Sequence, residues 1–423
     1  MINILSRQIV LLTTLLLTPI IIKAQVQQEI APPYNIKTVS FRKNAENVYP
    51  YFRLGESFQF AFDDLFGNEA DYYYSITHCN YDWTPSTQLT VNDYIDGFDN
   101  QRIQNYENSF NTLQIYSRYN LSFPNKFTRI LLSGNYILKI FDEDQEVVLS
   151  RRFIIYEETV SVPLQIKRAR TMDNISGKHN LDFAIKTNAV NFQSPLQNIK
   201  VALFQNGRFD NAIYNVKPQY TIGNDLIYKY DKETQFWAGN EYLYFENKDI
   251  RNAVNNVLRI TPGEIYNNIL YTNVARANNP YTFFPDINGN FVINNARLNV
   301  DDVQLESDYA WVFFKLSAPT FYEDKDIYVS GMFNNYAKTD EYKMEYDEKT
   351  ATYEKAIMIK QGFTNYLYVT MNKNGTVDGK NAVDGNFYQT EDDYNILVYY
   401  RQNTDRYDRV IGIGSANSED IIN

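Results

Sequence analysis

Apolar and polar residues alternate in short runs along this chain, and most runs close on a Gly, Pro, Asn or Asp cluster. Phe58, Phe60 and Phe62 alternate with Gln59, Ala61 and Asp63 before the run ends at Asp63-Asp64-Leu65. Side chains two apart share one face of a strand, so the three phenylalanines predict a buried face. From Tyr72 to Cys79 the same period puts Tyr72, Tyr74, Ile76 and His78 on one face and Tyr73, Ser75, Thr77 and Cys79 on the other. A loop with Asp82, Trp83 and Pro85 follows. Leu113, Ile115, Tyr119, Leu121 and Phe123 form one more face, ended by Pro124-Asn125, and Tyr136–Phe141 and Val147–Tyr156 flank the acidic turn Asp142–Gln145. With a weaker run from Tyr34 to Arg42, these strands predict a first antiparallel sandwich over residues 25–158.

A second set opens with Val160–Arg168 and continues through Leu181, Phe183 and Ile185, then Ile199–Gln205, Leu226–Tyr230 and Phe236–Phe245. Periodicity fades between Lys248 and Asn290, which predicts long loops, and the unit is placed at 159–305. The last unit, 306–414, starts at Tyr309–Phe314, passes through Ile327–Gly331, Tyr342–Tyr346, Ala351–Ile359 and Asn365–Met371, and closes at Arg406–Gly412. Residues 415–423 read as a flexible tail. No run sustains helical spacing and no 20–50-residue period repeats. The expected fold is all-β, with tandem immunoglobulin-like sandwiches.

The 423 residues are too many for one core at about 100–200 residues per domain. At the start, Arg7 and the apolar run Ile9–Ile22 lead to Lys23-Ala24 and a polar sequel, the layout of a cleaved signal peptide spanning 1–24. The run is short for a membrane span, which needs about 20 apolar residues, and Pro19 interrupts it. The mature chain is therefore expected to be exported and soluble. Its formal charge of −11 becomes more negative when Arg7 and Lys23 leave, and acidity spread along the chain argues against nucleic acid. One cysteine allows no internal disulfide, so stability rests on burial, for which 36 Tyr, 27 Phe and 3 Trp supply the area.

Candidate chemistry is thin. His78 beside Cys79 looks like a thiol dyad, but neighbours on a strand point apart and a base must reach its thiol. Two histidines and one cysteine are too few for a closed zinc site. Asp286–Asn290 and Asp378–Asn386 mix oxygen ligands in the manner of calcium loops without matching a full signature, and such clusters are usually turns. Asp63-Asp64 as a glycosidase pair fails for the same reason as the dyad, which leaves a turn. No phosphate loop, dinucleotide fingerprint, nucleophile elbow or His-Glu-x-x-His occurs. No catalytic, cofactor-binding or metal residue is assigned.

Two resemblances add to this reading. Tyr328–Tyr336, Met344–Asp347 and Lys360–Tyr368 resemble the early half of glycogen- and starch-binding sandwich modules, with Tyr336 where those modules carry a sugar-gripping tryptophan. Across the whole chain the landmarks resemble the plug proteins of the type IX secretion system of Bacteroidetes-type bacteria. They are Phe62-Asp63-Asp64-Leu65, Tyr73-Tyr74 to His78-Cys79, Asp82-Trp83, Gly97-Phe98, Ser109–Thr112, Ser133–Tyr136, Arg151-Arg152-Phe153, Gln205-Asn206, Gly239-Asn240-Glu241, Lys360-Gln361-Gly362, Thr390-Glu391 and Tyr407-Asp408-Arg409. Phe363-Thr364-Asn365-Tyr366, where Tyr-Tyr-Asn-Tyr is expected, and Tyr242 depart from the family pattern. The resemblance implies a periplasmic, non-catalytic protein without cofactor or lipid anchor, held at the outer membrane through its partner. That partner is the large translocon β-barrel, whose inner mouth it would seal when no substrate crosses. Tyr81, Trp83 and Phe98 are the candidate interface residues. The alternative is an exported carbohydrate-binding or surface polysaccharide-associated sandwich protein.

Overall fold

A computed structural model describes residues 25–187, 192–297, 300–318, 322, 324–419 and 421; the expected signal peptide lies outside them. Phenylalanine alternation builds the first sandwich. Phe58–Asp64 sits mid-sheet, with Ile36–Lys43 on one side and Ser117–Phe123 on the other, so Phe60 faces both Phe41 and Leu121. The opposing sheet orders Tyr51–Arg53, Val147–Tyr156, Gly134–Phe141, Tyr73–Cys79 and Gln101–Arg102. Phe52 and Phe58 stack between the sheets with ring centroids 3.9 Å apart, and Phe41, Phe60, Tyr136 and Phe153 complete this core.

Leu113 and Ile115 differ from expectation. Their strand begins only at Ser117, and both are exposed in the preceding loop. The period-2 pattern across residues 113–123 mixes a surface loop with a core strand, because it records spacing and not the partner that would cover each face.

The later strands do not follow the contiguous division at 159–305 and 306–414. In the second sandwich, one sheet orders Leu164–Arg168, Lys178–Ile185, Asp225–Tyr228 and Tyr220–Ile222, with Gln235–Trp237 alongside Lys178–Asn180. The other orders Ile213–Tyr214, Ile199–Gln205, Asp393–Tyr400 and Arg409–Asn417. Its core therefore joins Val201 and Leu203 to Ile396 and Val398, nearly two hundred positions later. The third sandwich is inserted between these halves. Leu243–Glu246, Phe291–Ile293 and Lys325–Ser330 pair with Gly362–Asn372, opposite a sheet ordered Val257–Thr261, Asn267–Leu270, Tyr309–Ser317, Thr352–Lys360 and Glu345–Asp347.

Three further expectations are corrected. Phe236–Phe245 is two strands in two sandwiches, parted at Gly239, whose φ of +64° suits a residue without Cβ. The supposed loops of 248–290 contain Val257–Thr261 and Asn267–Leu270. The tail is ordered through Asn417, and Ser418 is buried, its hydroxyl donating to the Thr390 carbonyl at 2.9 Å.

Candidate functional site: a rigid frame carrying an apolar face

Tyr81 and Trp83 were expected at an interface with a partner, and the structure buries both inside the chain. They lie in an apolar cluster that joins Cys79, Ile137 and Ile154 of the first sandwich to Ala202, Phe204, Leu397 and Tyr399 of the second. The Tyr81 hydroxyl donates to the Val201 carbonyl at 2.7 Å and accepts from the Asn215 amide at 2.7 Å. The Arg152 guanidinium lies over the Trp83 ring, 4.4 Å from its centroid. Nothing in the sequence of this loop reveals the second sandwich that covers it. Of the three residues only Phe98 is exposed, on a two-stranded ribbon made by Ile95–Gly97 and Thr128–Ile130.

His78 and Cys79 point to opposite sides, as strand alternation requires. His78 Nε2 donates to the Ser133 carbonyl at 3.2 Å and its Nδ1 accepts from Ser86 Oγ at 2.8 Å. Burial pushes its pKa down to about 4, so the ring stays neutral. Burial pushes the Cys79 thiol up to about 12. A thiol so buried and so weakly acidic is a packing group.

Asp63 is not a turn residue. Its carboxylate is fully buried where the first sandwich meets the third, 2.6 Å from Arg118 Nη1, 2.5 Å from Lys360 Nζ and 2.8 Å from the Tyr309 hydroxyl. Burial would raise its pKa, but Lys360 and Arg118 hold it below the ordinary carboxylate range. Burial lowers that of Lys360. Asp64 turns the other way and accepts from Asn35 and Tyr72 inside its own sandwich.

A third junction ties all three units. Tyr49 of the first donates to Asp393 of the second at 3.0 Å, and Asn288 of the third reaches Asp393 at 3.1 Å and Glu391 at 3.3 Å. Asp286, in one of the calcium-like segments, caps the backbone amides of Tyr242 and Asn288. Burial, with Glu241 and Glu391 nearby, pushes its pKa up to about 7. In the other segment Asp378 pairs with Lys325 and Asn381. Among the described residues no three His, Cys, Asp or Glu side chains gather to hold a metal. Tyr336, at the sugar-gripping position, is buried with its hydroxyl 3.2 Å from that of Tyr242.

The surface feature missed in the sequence is the loop at 109–115. Asp308 accepts the Leu113 amide at 2.7 Å and the Gln114 amide at 3.0 Å, which fixes the loop against the third sandwich while Phe110, Leu113 and Ile115 point outward, each more than half exposed. Ile115 packs beside Gly67, and exposed Phe66 meets exposed Tyr34 edge-on at 5.8 Å. Beneath it Leu65 is buried with Tyr116 and Tyr309, and partly buried Met358 packs against that cluster. Exposed large apolar side chains grouped on one fixed loop have the chemistry an interaction surface needs. The one available signal was that Ser109–Thr112 belongs to the family-like landmarks although it lies outside any regular strand.

Three packed β-sandwiches, joined to one another at these contacts and carrying an exposed apolar loop, define an all-β protein of tandem sandwiches. Residues 36–157 match the family model described as the type 9 secretion system plug protein 1st domain, and the chain belongs to the type IX secretion system plug family. It also matches the crystal structure of a hypothetical protein from Parabacteroides merdae ATCC 43184 at 30 % identity and a TM-score of 0.87, over 93 % of this chain and 100 % of that one. No curated protein matches it.

Proposed function

We propose that this protein is a non-catalytic plug that sits in the periplasm, docks on the inner mouth of the type IX translocon barrel and closes it when no substrate is crossing. Family membership supports a role in that secretion system. The observation that carries the finer reading is the pinned loop at 109–115, which offers Phe110, Leu113 and Ile115 on a frame locked by three buried junctions. A seal needs a wide, stiff face with apolar anchors and a polar rim, and it must be displaced by a competing state of the translocon. Phe98 is a second contact in this reading.

The test is recovery of the barrel by the tagged protein from outer membranes, combined with small-molecule leakage in a deletion strain. Changing Phe110, Leu113 and Ile115 together to Ser should leave the melting temperature nearly unchanged, since surface substitutions shift stability by about 0.5 kcal/mol or less each. Barrel recovery should fall at least about tenfold, the scale expected when interface anchors are truncated. Full recovery by the triple variant, or a deletion strain that does not leak, would overturn the proposal.

A further inference from the structure

A cavity of about 80 Å³ lies where the three sandwiches meet beneath the segment that leads into the first strand. Five charged side chains stand in its wall: Glu29 from that segment, Arg151 and Arg152 from the first sandwich, and Arg208 and Asp210 from the second. Three guanidinium groups thus face two carboxylates, and one positive charge is left over. Arg208 donates Nε and Nη2 to the two carboxylate oxygens of Asp210, each at 2.9 Å. The Glu29 oxygens are also taken, by the Arg152 amide at 2.8 Å and by Nδ2 of Asn335, in the third sandwich, at 2.9 Å. The Arg152 guanidinium turns to the Gln27 carbonyl and the Trp83 ring.

The surplus falls on Arg151. This side chain is buried, and Nη1 donates to the Ser150 carbonyl at 2.9 Å and the Ile30 carbonyl at 3.4 Å. Among the described residues no carboxylate lies within ion-pair distance of it, and its Nε and Nη2 have no hydrogen-bond partner. The Ser40 hydroxyl, in the same wall, is likewise buried and unpartnered. Burial pushes the Arg151 pKa down, yet a guanidinium keeps its proton, and an unpaired charge in such a place is costly. Two sets of donors therefore share the wall of one small space, and the chain supplies no acceptor for them. The volume limits what could. A benzene ring occupies a cavity of roughly 150 Å³ and a water about 30 Å³, so sugars and nucleotides are too large.

We infer that the cavity binds one small monovalent anion, of halide or formate size, which accepts hydrogen bonds from Arg151 and Ser40, neutralises the junction and fastens the leading segment across the three sandwiches. Nothing in this site depends on docking at the barrel, so the two readings fail separately.

The test combines crystals of the mature chain soaked in sodium bromide with melting curves in bromide, formate and gluconate at constant ionic strength. Anomalous scattering should place a bromide in contact with Arg151 Nε or Nη2. Bromide and formate should raise the melting temperature by about 2–4 °C over gluconate, which is too large to enter, and the rise should saturate as one site fills. Arg151→Met keeps the length without the charge and should lose that difference. Where that variant fails to fold, Glu29→Gln serves instead: at a half-buried position it raises the surplus to two charges, and should lower the half-saturating bromide concentration at least about threefold. Bromide found only on the outer surface, melting curves that do not distinguish the three salts, a difference retained by Arg151→Met, or an unshifted half-saturating concentration in Glu29→Gln would each overturn the inference.

Discussion

At the scale of single residues, ionisable groups are placed where burial decides their state. His179 is fully buried, with Nε2 donating to the Tyr388 carbonyl and Nδ1 accepting from the Tyr394 hydroxyl, both at 2.8 Å, and burial lowers its pKa from 6.5 to about 4. The unfolded chain therefore binds a proton between pH 6.5 and about 4 that the folded chain does not, so stability falls as pH drops through that window. The contribution is about 3 kcal/mol at one pKa unit per 1.36 kcal/mol. His78 acts in the same direction. Asp286, whose folded pKa is raised, acts in the opposite one, because the folded state takes its proton first as pH falls from about 7. The difference between proteins is the clean readout. Denaturant unfolding of His179→Gln across pH 4–7 should show a shallower loss than wild type, and parallel curves would show that His179 is not neutral in the fold. Asp63→Asn should cost about 3–5 kcal/mol, because Lys360 and Arg118 would remain buried without their carboxylate. A loss under about 1 kcal/mol in urea titration would mean that water enters the junction.

At the scale of elements, what the sequence revealed depends on what covers each strand. Phe58, Phe60 and Phe62 were legible because one sheet packs on them, and the opposed faces of His78 and Cys79 followed from the same period. Ala61 and Asp63, on the other face of Phe58–Asp64, were not legible as buried, since the third sandwich that covers them lies hundreds of residues away. Trp83 was misplaced for the same reason. Leu113 and Ile115 were misplaced in the reverse direction, as apolar residues that nothing in the chain covers. The family-like landmarks fare better than their local surroundings: Asp63, Trp83, Asn135, Arg152, Gln205 and Lys360 mostly turn out to be joints between or beside sandwiches. The 109–115 loop owes its shape to one side chain. Asp308→Ala removes the acceptor for two loop amides, and should increase protease cleavage within 109–115 and lower barrel recovery while the rest of the chain stays protected. An unchanged digestion pattern would show that Arg297, which donates to the Asn111 carbonyl, and the Leu305 carbonyl, which accepts from the Phe110 amide, suffice to hold the loop.

At the scale of the whole molecule, the inserted third sandwich sets what a truncation does. A chain ending at Gln389 keeps every strand of the first and third sandwiches but loses Asp393–Tyr400 and Arg409–Asn417, half of one sheet of the second. It also loses Leu397, Tyr399 and Val410 from the cluster around Trp83. Hydrogen exchange should then show loss of protection over residues 164–237, although the cut lies more than 150 positions downstream. Retained protection there would support the contiguous division instead.

The same insertion gives the molecule a direction in time. A chain made or exported from its N-terminus can close its first sandwich on local contacts, but the second must wait for its final strands. Its unfinished edge at Ile199–Gln205 stays open until Asp393–Tyr400 arrives. Tyr81 and Trp83 lack their cover for the same interval, so the first sandwich is not locked to its neighbour until the tail is in place. Pulse-labelled exchange during refolding should show residues 199–205 gaining protection together with 393–417 and after 58–64; simultaneous protection of all three would remove the delay. A premature or clipped chain would then have a loose frame, and completeness of the polypeptide would be read out as stiffness.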